Sequence, residues 1–214
     1  MSEGPPPTFV SRLPRTIGLL ALFGLLVIVA INTLRTPGRP SSGPAVGRAL
    51  PAFAAPLVDS DLQGDVNVAT RAGQGAAGER PACELRGAGI VNTCDLIRRA
   101  PLVLAFFSAG EGRCLRAIDA LDREARAAAG VKVLAVALGG ERSEVRRIVD
   151  KRGWRIPVAH DRDAILANLY GVAVCPQVTY VLRGGRVQRT VVGEQQPSDW
   201  SSQLARLQAT EGAR

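Results

Sequence analysis

The stretch Pro101-Leu102-Val103-Leu104-Ala105-Phe106-Phe107 restricts the fold more than any other part of the chain. It is apolar without alternation, so a strand built from it must be covered on both faces, as the strands of a parallel sheet are. After it the period changes. Leu115, Ile118, Leu121 and Ala125 fall on one stripe of a helix. A doubly covered strand running into an amphipathic helix predicts an α/β domain in layers.

The pattern continues downstream. Gly130 stands where a helix C-cap belongs, and residues 131–138 read as a second buried strand. Ser143 is predicted to cap a helix carrying Val145, Ile148 and Val149 that stops near Gly153. Residues 156–159 read as a short strand. Asp161 then opens a helix with Ile165, Leu166 and Leu169, closed by Gly171. From there the period is two: residues 177–182 and 186–192 flank Arg183-Gly184-Gly185, which predicts a hairpin. Ser198 begins a last helix with Trp200, Leu204 and Leu207 inward. Early crossovers give parallel strands and the hairpin gives antiparallel ones, so the central sheet is expected to be mixed. Upstream, residues 50–58 carry two prolines and read as an edge strand, and residues 59–82 as a long irregular insertion.

Residues 17–34 hold no charge and are rich in Leu, Ile and Val, about the length that spans a bilayer. Arg12 and Arg15 precede the run, and Arg35 and Arg39 follow it, so positive charge alone does not orient it. The reading is an uncleaved anchor; a cleaved signal and a buried helix are the alternatives. The expected plan is a cytoplasmic tail over 1–15, a transmembrane anchor over 16–34, a flexible linker over 35–49 and a folded domain over 50–210. The chain is then a single-pass protein of the cell membrane, with its C-terminal domain extracytoplasmic.

The net charge of +8 comes almost entirely from arginine spread along the chain. Without a basic run or interleaved aromatics, no nucleic-acid partner is expected. Gly139-Gly140 and Gly184-Gly185 read as turns, since no Lys-Ser/Thr follows them, and no small-molecule cofactor is expected. His160 is the one histidine, too little for a metal site. Four cysteines in an exported domain suggest two disulfides. Three pairings are open. A bond between Cys83 and Cys94 would close a small loop and contribute about 2–4 kcal/mol as a structural disulfide.

The element order, together with four motifs, resembles the thioredoxin fold and, within it, the membrane-anchored redoxins of the TlpA/ResA kind, related to the AhpC/TSA peroxiredoxins. The motifs are the strand Pro-Leu-Val-Leu-Ala-Phe-Phe, Cys114, Tyr170-Gly171-Val172 followed by Pro176, and the hairpin Arg183-Gly184-Gly185-Arg186-Val187. The resemblance covers residues 50–207. It implies a three-layer α/β/α sandwich. It also implies that Cys114 matches the second cysteine of Cys-x-x-Cys and that Pro176 is cis beside the site. Cys175 then lies near Cys114, at the groove formed with Glu111, Gly112 and Arg113.

The four matching positions read Glu111-Gly112-Arg113-Cys114, so the usual attacking cysteine is a glutamate. A carboxylate suits a helix start, but it forms no mixed disulfide. Two functions follow from the resemblance. One is thiol–disulfide exchange by a Cys114/Cys175 pair, with other exported thiol proteins as partners. The other is a degenerate redoxin-fold module for binding or structure, with structural disulfides only. A peroxidase is a weaker third, since the cysteine that attacks peroxide would stand near Glu111. Whether the chain is an enzyme stays open at this level.

Overall fold

The computed structural model describes residues 13–35, 43–74 and 78–212. The chain divides into two compact units, Met1–Arg39 and Pro40–Arg214. In the first, helix α1 runs Leu13–Arg35, beyond the expected 16–34 at both ends. Its large apolar side chains are exposed, Leu20 at 71% and Phe23 at 66%. Among the described residues no helix is long and apolar enough to cross a membrane, so the expected span is not shown. Of the tail expected over 1–15, residues 1–12 lie outside the described residues, as do residues 36–42 of the expected linker.

The second unit is built on a five-stranded sheet. Its elements are β3 (Leu102–Phe107), α3 (Gly112–Ala125), β4 (Lys132–Leu138), α4 (Arg142–Arg152), β5 (Val158–Asp161), α5 (Ile165–Leu169), β6 (Gln177–Val181), β7 (Val187–Val192) and α6 (Pro197–Gly212). The strand order is β5-β4-β3-β6-β7. β3, β4 and β5 are parallel neighbours, and β6 and β7 join antiparallel. The sheet is mixed, as its sequence order implied, and the architecture is a thioredoxin-like α/β fold.

β3 is buried at all six positions. Val103, Ala105 and Phe107 join Ile118, Leu121, Val145, Trp200 and Leu204 in one core. Leu102, Leu104 and Phe106 join Phe53, Leu166 and Tyr170 in another. Helices α3, α4 and α6 therefore supply one layer. The other comes from α5, from α2 (Thr93–Arg99) and from the chain around Phe53. This is the reason the segment could not alternate: each side of the strand meets its own core.

Several boundaries differ from the sequence expectation. The edge strand expected over 50–58 shrinks to β1 (Ala54–Pro56), which pairs with β2 (Ile90–Asn92) in a separate two-stranded sheet. Only Leu57 and Val58 bridge to β5, through Val58 N–H to the Val158 carbonyl at 2.9 Å. β5 starts two residues late, since Pro157 has no N–H to give a ladder. The N-cap of α4 is Glu141, not Ser143. Pro197, not Ser198, starts α6, a position whose missing N–H costs a helix nothing. α3 stops at Ala125, four residues before the turn that leads to Gly130. Helix α2, within the loop region, carried no sequence signal long enough to be read.

Residues 43–49, read from sequence as linker, follow the hairpin of β6 and β7. Gly47 N–H reaches the Val187 carbonyl at 2.8 Å, Val187 N–H returns to Arg48 at 2.8 Å, and Leu50 N–H meets Gly185 at 2.7 Å.

Candidate active site

Two elements converge at the C-terminal end of β3. The first is the turn after Phe107. Glu111 sits at the N-cap of α3 in an extended conformation (φ −108°, ψ 103°), and its side chain makes no capping bond. Its carboxylate lies 3.9 Å from Arg113, both groups half in solvent. Gly112 is the first residue of α3 and Cys114 the third. Cys114 donates its N–H to the Glu111 carbonyl at 2.9 Å, and its side chain is fully buried.

The second element enters from the other side of the sheet. α5 ends at Leu169 with Tyr170 as its C-cap, and Gly171 turns the chain with φ +59°. Ala173 and Val174 are exposed, Val174 at 44%. Cys175 is partly buried, and the Cys175–Pro176 peptide bond is cis. Gln177 then pairs with Phe106 across the β3–β6 ladder. That register is what carries Cys175 to the start of α3.

Cys114 and Cys175 are joined in a disulfide, with Cα atoms 5.7 Å apart across 61 residues of sequence. The surroundings are fixed from three directions. Gly193, just after β7, donates its N–H to the Pro176 carbonyl at 2.8 Å. Arg116 on α3 pairs with Glu194 at 3.6 Å across the same gap. Phe107 meets Trp154 edge-on at 5.4 Å beneath the turn. The second disulfide, Cys83–Cys94, lies elsewhere, between a 3-10 turn (Ala82–Glu84) and the start of α2. Its Cys83 is exposed.

Sequence reasoning missed Gly193, Glu194 and Arg116 as neighbours of the site, and no periodicity could have linked them. It also missed Asp122, a carboxylate 3% exposed on α3. There the signal was legible: Asp122 falls four residues after Ile118, on the stripe that faces the core. Burial pushes its carboxyl up, but hydrogen bonds from Arg155, Arg126 and Ile156 outweigh that and hold it below its ordinary value of 3.8. Asp161 is the reverse. Burial raises it above 3.8 despite the N–H groups of Ala167, Leu166 and Ile165 that it accepts.

His160 is 2% exposed and its Nε2 lies 3.1 Å from the Gly140 carbonyl. It borders a cleft of about 380 Å³ with Ser60, Arg142 and Arg162, away from the disulfide. Among the described residues no cluster of three or more His, Cys, Asp or Glu could hold a metal ion. The chemistry the site itself offers is that of a sulfur–sulfur bond near solvent at the start of a 14-residue helix. Such a bond can exchange with a thiolate that reaches it.

The profile of the AhpC/TSA family matches residues 80–191. Thiol-disulfide oxidoreductase ResA of Geobacillus thermodenitrificans is 28% identical over 75 residues, 35% of this chain and 43% of that protein. The chain thus spans less than half the length of this relative. Among solved structures, a thiol:disulfide interchange protein DsbE from Chlorobium tepidum superposes with a TM-score of 0.57 at 20% identity, covering 78% of this chain and 99% of that one. A protein disulfide isomerase from Bacteroides thetaiotaomicron gives a TM-score of 0.59 at 13% identity, covering 78% and 91%. A secreted disulfide oxidoreductase of Mycobacterium tuberculosis gives 0.51 at 19% identity, covering 56% and 90%. These likenesses show the thioredoxin-like fold.

Proposed function

The chain belongs to the AhpC/TSA family, its profile matching more than half of the sequence, and from that premise we propose that the Pro40–Arg214 unit carries out thiol–disulfide exchange through Cys114 and Cys175. One observation carries the reading. The disulfide joins the buried third residue of α3 to Cys175, which is only partly buried and follows two exposed residues. The curated relative is a thiol-disulfide oxidoreductase by name, which favours the same chemistry.

Exchange here means that a dithiol partner gives two electrons to the Cys114–Cys175 bond, or that the reduced pair gives them to a partner's disulfide. The partners are other exported thiol proteins. Oxidising conditions outside the cytoplasm would keep both disulfides formed. α1 is the anchor in this reading, on the strength of the uncharged run over 17–34 and the arginines at either side of it. The C-terminal unit is then extracytoplasmic.

Insulin reduction with dithiothreitol tests the exchange. Wild type is expected to accelerate it and both Cys114→Ser and Cys175→Ser to abolish the acceleration. Protease accessibility of the C-terminal unit in intact and opened cells tests its placement.

A second reading has its own support. By the resemblance, Glu111, the N-cap of α3, stands where the attacking thiol of Cys-x-x-Cys would be, which favours a module that binds partners without exchanging electrons. An intact disulfide together with no insulin reduction by wild type would establish that reading instead. Peroxide reduction is the weaker third, because the same position offers no sulfur.

A further inference from the structure

The two sulfurs of the bond are not equivalent. Cys114 is fully buried within the core that holds Phe107, Ile118 and Trp200. Cys175 lies at the margin of that core, preceded by two exposed residues, Ala173 and Val174. Opposite them, Glu111, Gly112, Arg113 and Arg116 are exposed on the first turns of α3. The open side of the disulfide is therefore the Cys175 side.

Attack on a disulfide goes to the sulfur that can be reached, and the other sulfur departs. Departure is easier where negative charge is stabilised. Cys114 stands in the first turn of a 14-residue helix, whose leading N–H groups offset part of the cost of charge on a buried sulfur. Access therefore sets the direction.

Resting on the exchange reading above, we propose that Cys175 is the catalytic residue that receives the incoming thiolate and carries the mixed disulfide, while Cys114 is the leaving and resolving thiol. The partner's thiolate forms a bond to the Cys175 sulfur. The Cys114–Cys175 bond breaks, and its electron pair stays on Cys114, which then takes a proton. A second thiolate of the dithiol partner attacks its own sulfur in the mixed disulfide and expels Cys175 as a thiolate. The partner leaves oxidised by two electrons, and the protein holds two thiols. Cys114 thus keeps the part of the second cysteine of a Cys-x-x-Cys site, while the sulfur that meets the partner comes from the proline loop.

The test uses the full-length protein in detergent, with reduced glutathione as the probe thiol. After a short incubation, N-ethylmaleimide quenches the thiols and peptide mapping locates the adduct. Glutathione is expected on Cys175 and the maleimide on Cys114. Glutathione on Cys114 would overturn the assignment while leaving exchange intact. No adduct on either sulfur, with the bond still closed, would overturn both the assignment and the exchange reading. A second measurement compares the lone thiols. Cys175 in Cys114→Ser is expected to react with an aromatic disulfide reagent at least about tenfold faster than Cys114 in Cys175→Ser, because reactivity follows access. The gap should close in denaturant. Equal rates in the native proteins would count against the proposal.

Discussion

Asp122 on α3 accepts the backbone N–H of Arg155 at 2.6 Å across 33 residues of sequence. The same carboxylate oxygen accepts Ile156 N–H at 3.0 Å, and the other oxygen meets the Arg126 guanidinium. One side chain therefore ties the helix of the candidate site to the turn between α4 and β5. Asp122→Ala would leave two backbone donors without their acceptor. Each such loss costs about 1–3 kcal/mol when buried, so a destabilisation of about 2–4 kcal/mol is expected in urea unfolding at pH 7.

The two shifted carboxyls predict opposite pH responses. Asp122 is held below 3.8 in the folded chain, so its ionisation stabilises the fold above that pH and the contribution disappears as pH falls through the folded value. The stability gap between wild type and Asp122→Asn should therefore narrow as the solution is acidified from pH 7 towards 2. Asp161 is raised, with burial the largest cause, so its contribution is full below 3.8 and is lost as pH rises through the folded value. Relative to Asp161→Asn, wild type should gain stability on acidification through the window just above 3.8. Urea titrations at a series of pH values read both slopes, and slopes of the same sign would refute the assignment.

Cys83 and Cys94 stand 11 positions apart, far closer than the 61 positions spanned by the other bond. Loop-closure arguments put its removal at about 3 kcal/mol. The double variant Cys83→Ser/Cys94→Ser should unfold at lower denaturant yet reduce insulin at the wild-type rate under native conditions. A lost rate with retained stability would make this disulfide part of the redox chemistry.

Gly185 in the β6–β7 hairpin has φ +88°, and a Cβ there would approach Ile97 Cδ1 at 2.7 Å. The isoleucine tip can move, so the backbone conformation carries most of the penalty. Gly185→Ala should cost about 1–2 kcal/mol, seen as a lower midpoint in chemical denaturation.

Much of the architecture was legible because each element announces its own environment. The uniform apolarity of β3 declared two covered faces, and the Gly184-Gly185 turn declared the hairpin. Gly153 was read as a stop and caps α4 in the left-handed region, at φ +65°. What failed was local. β1 pairs with a three-residue partner whose sequence, Ile-Val-Asn, is too short to carry a period. Ser143 lost the cap to Glu141 because the chain enters α4 two residues earlier than the side-chain preference suggested. The site divides the same way. Cys114, Cys175 and Pro176 were placed by resemblance to a known arrangement. Arg116, Glu194 and Gly193 meet there only through the fold, since the contacts join residues 17 to 78 positions apart.

The stretch from Gly47 to Val58 engages the two outermost strands in turn, β7 and its hairpin through Gly47, Arg48 and Leu50, and β5 through Leu57 and Val58. Between them Phe53 and Ala55 sink into the core beneath the sheet. A single strap thus guards both flanks of the ladder. Unguarded flanks are where foreign strands add and chains stick together. In the exchange reading, covered flanks keep an approaching partner from adding to the ladder and leave the partly buried Cys175 as the point of contact.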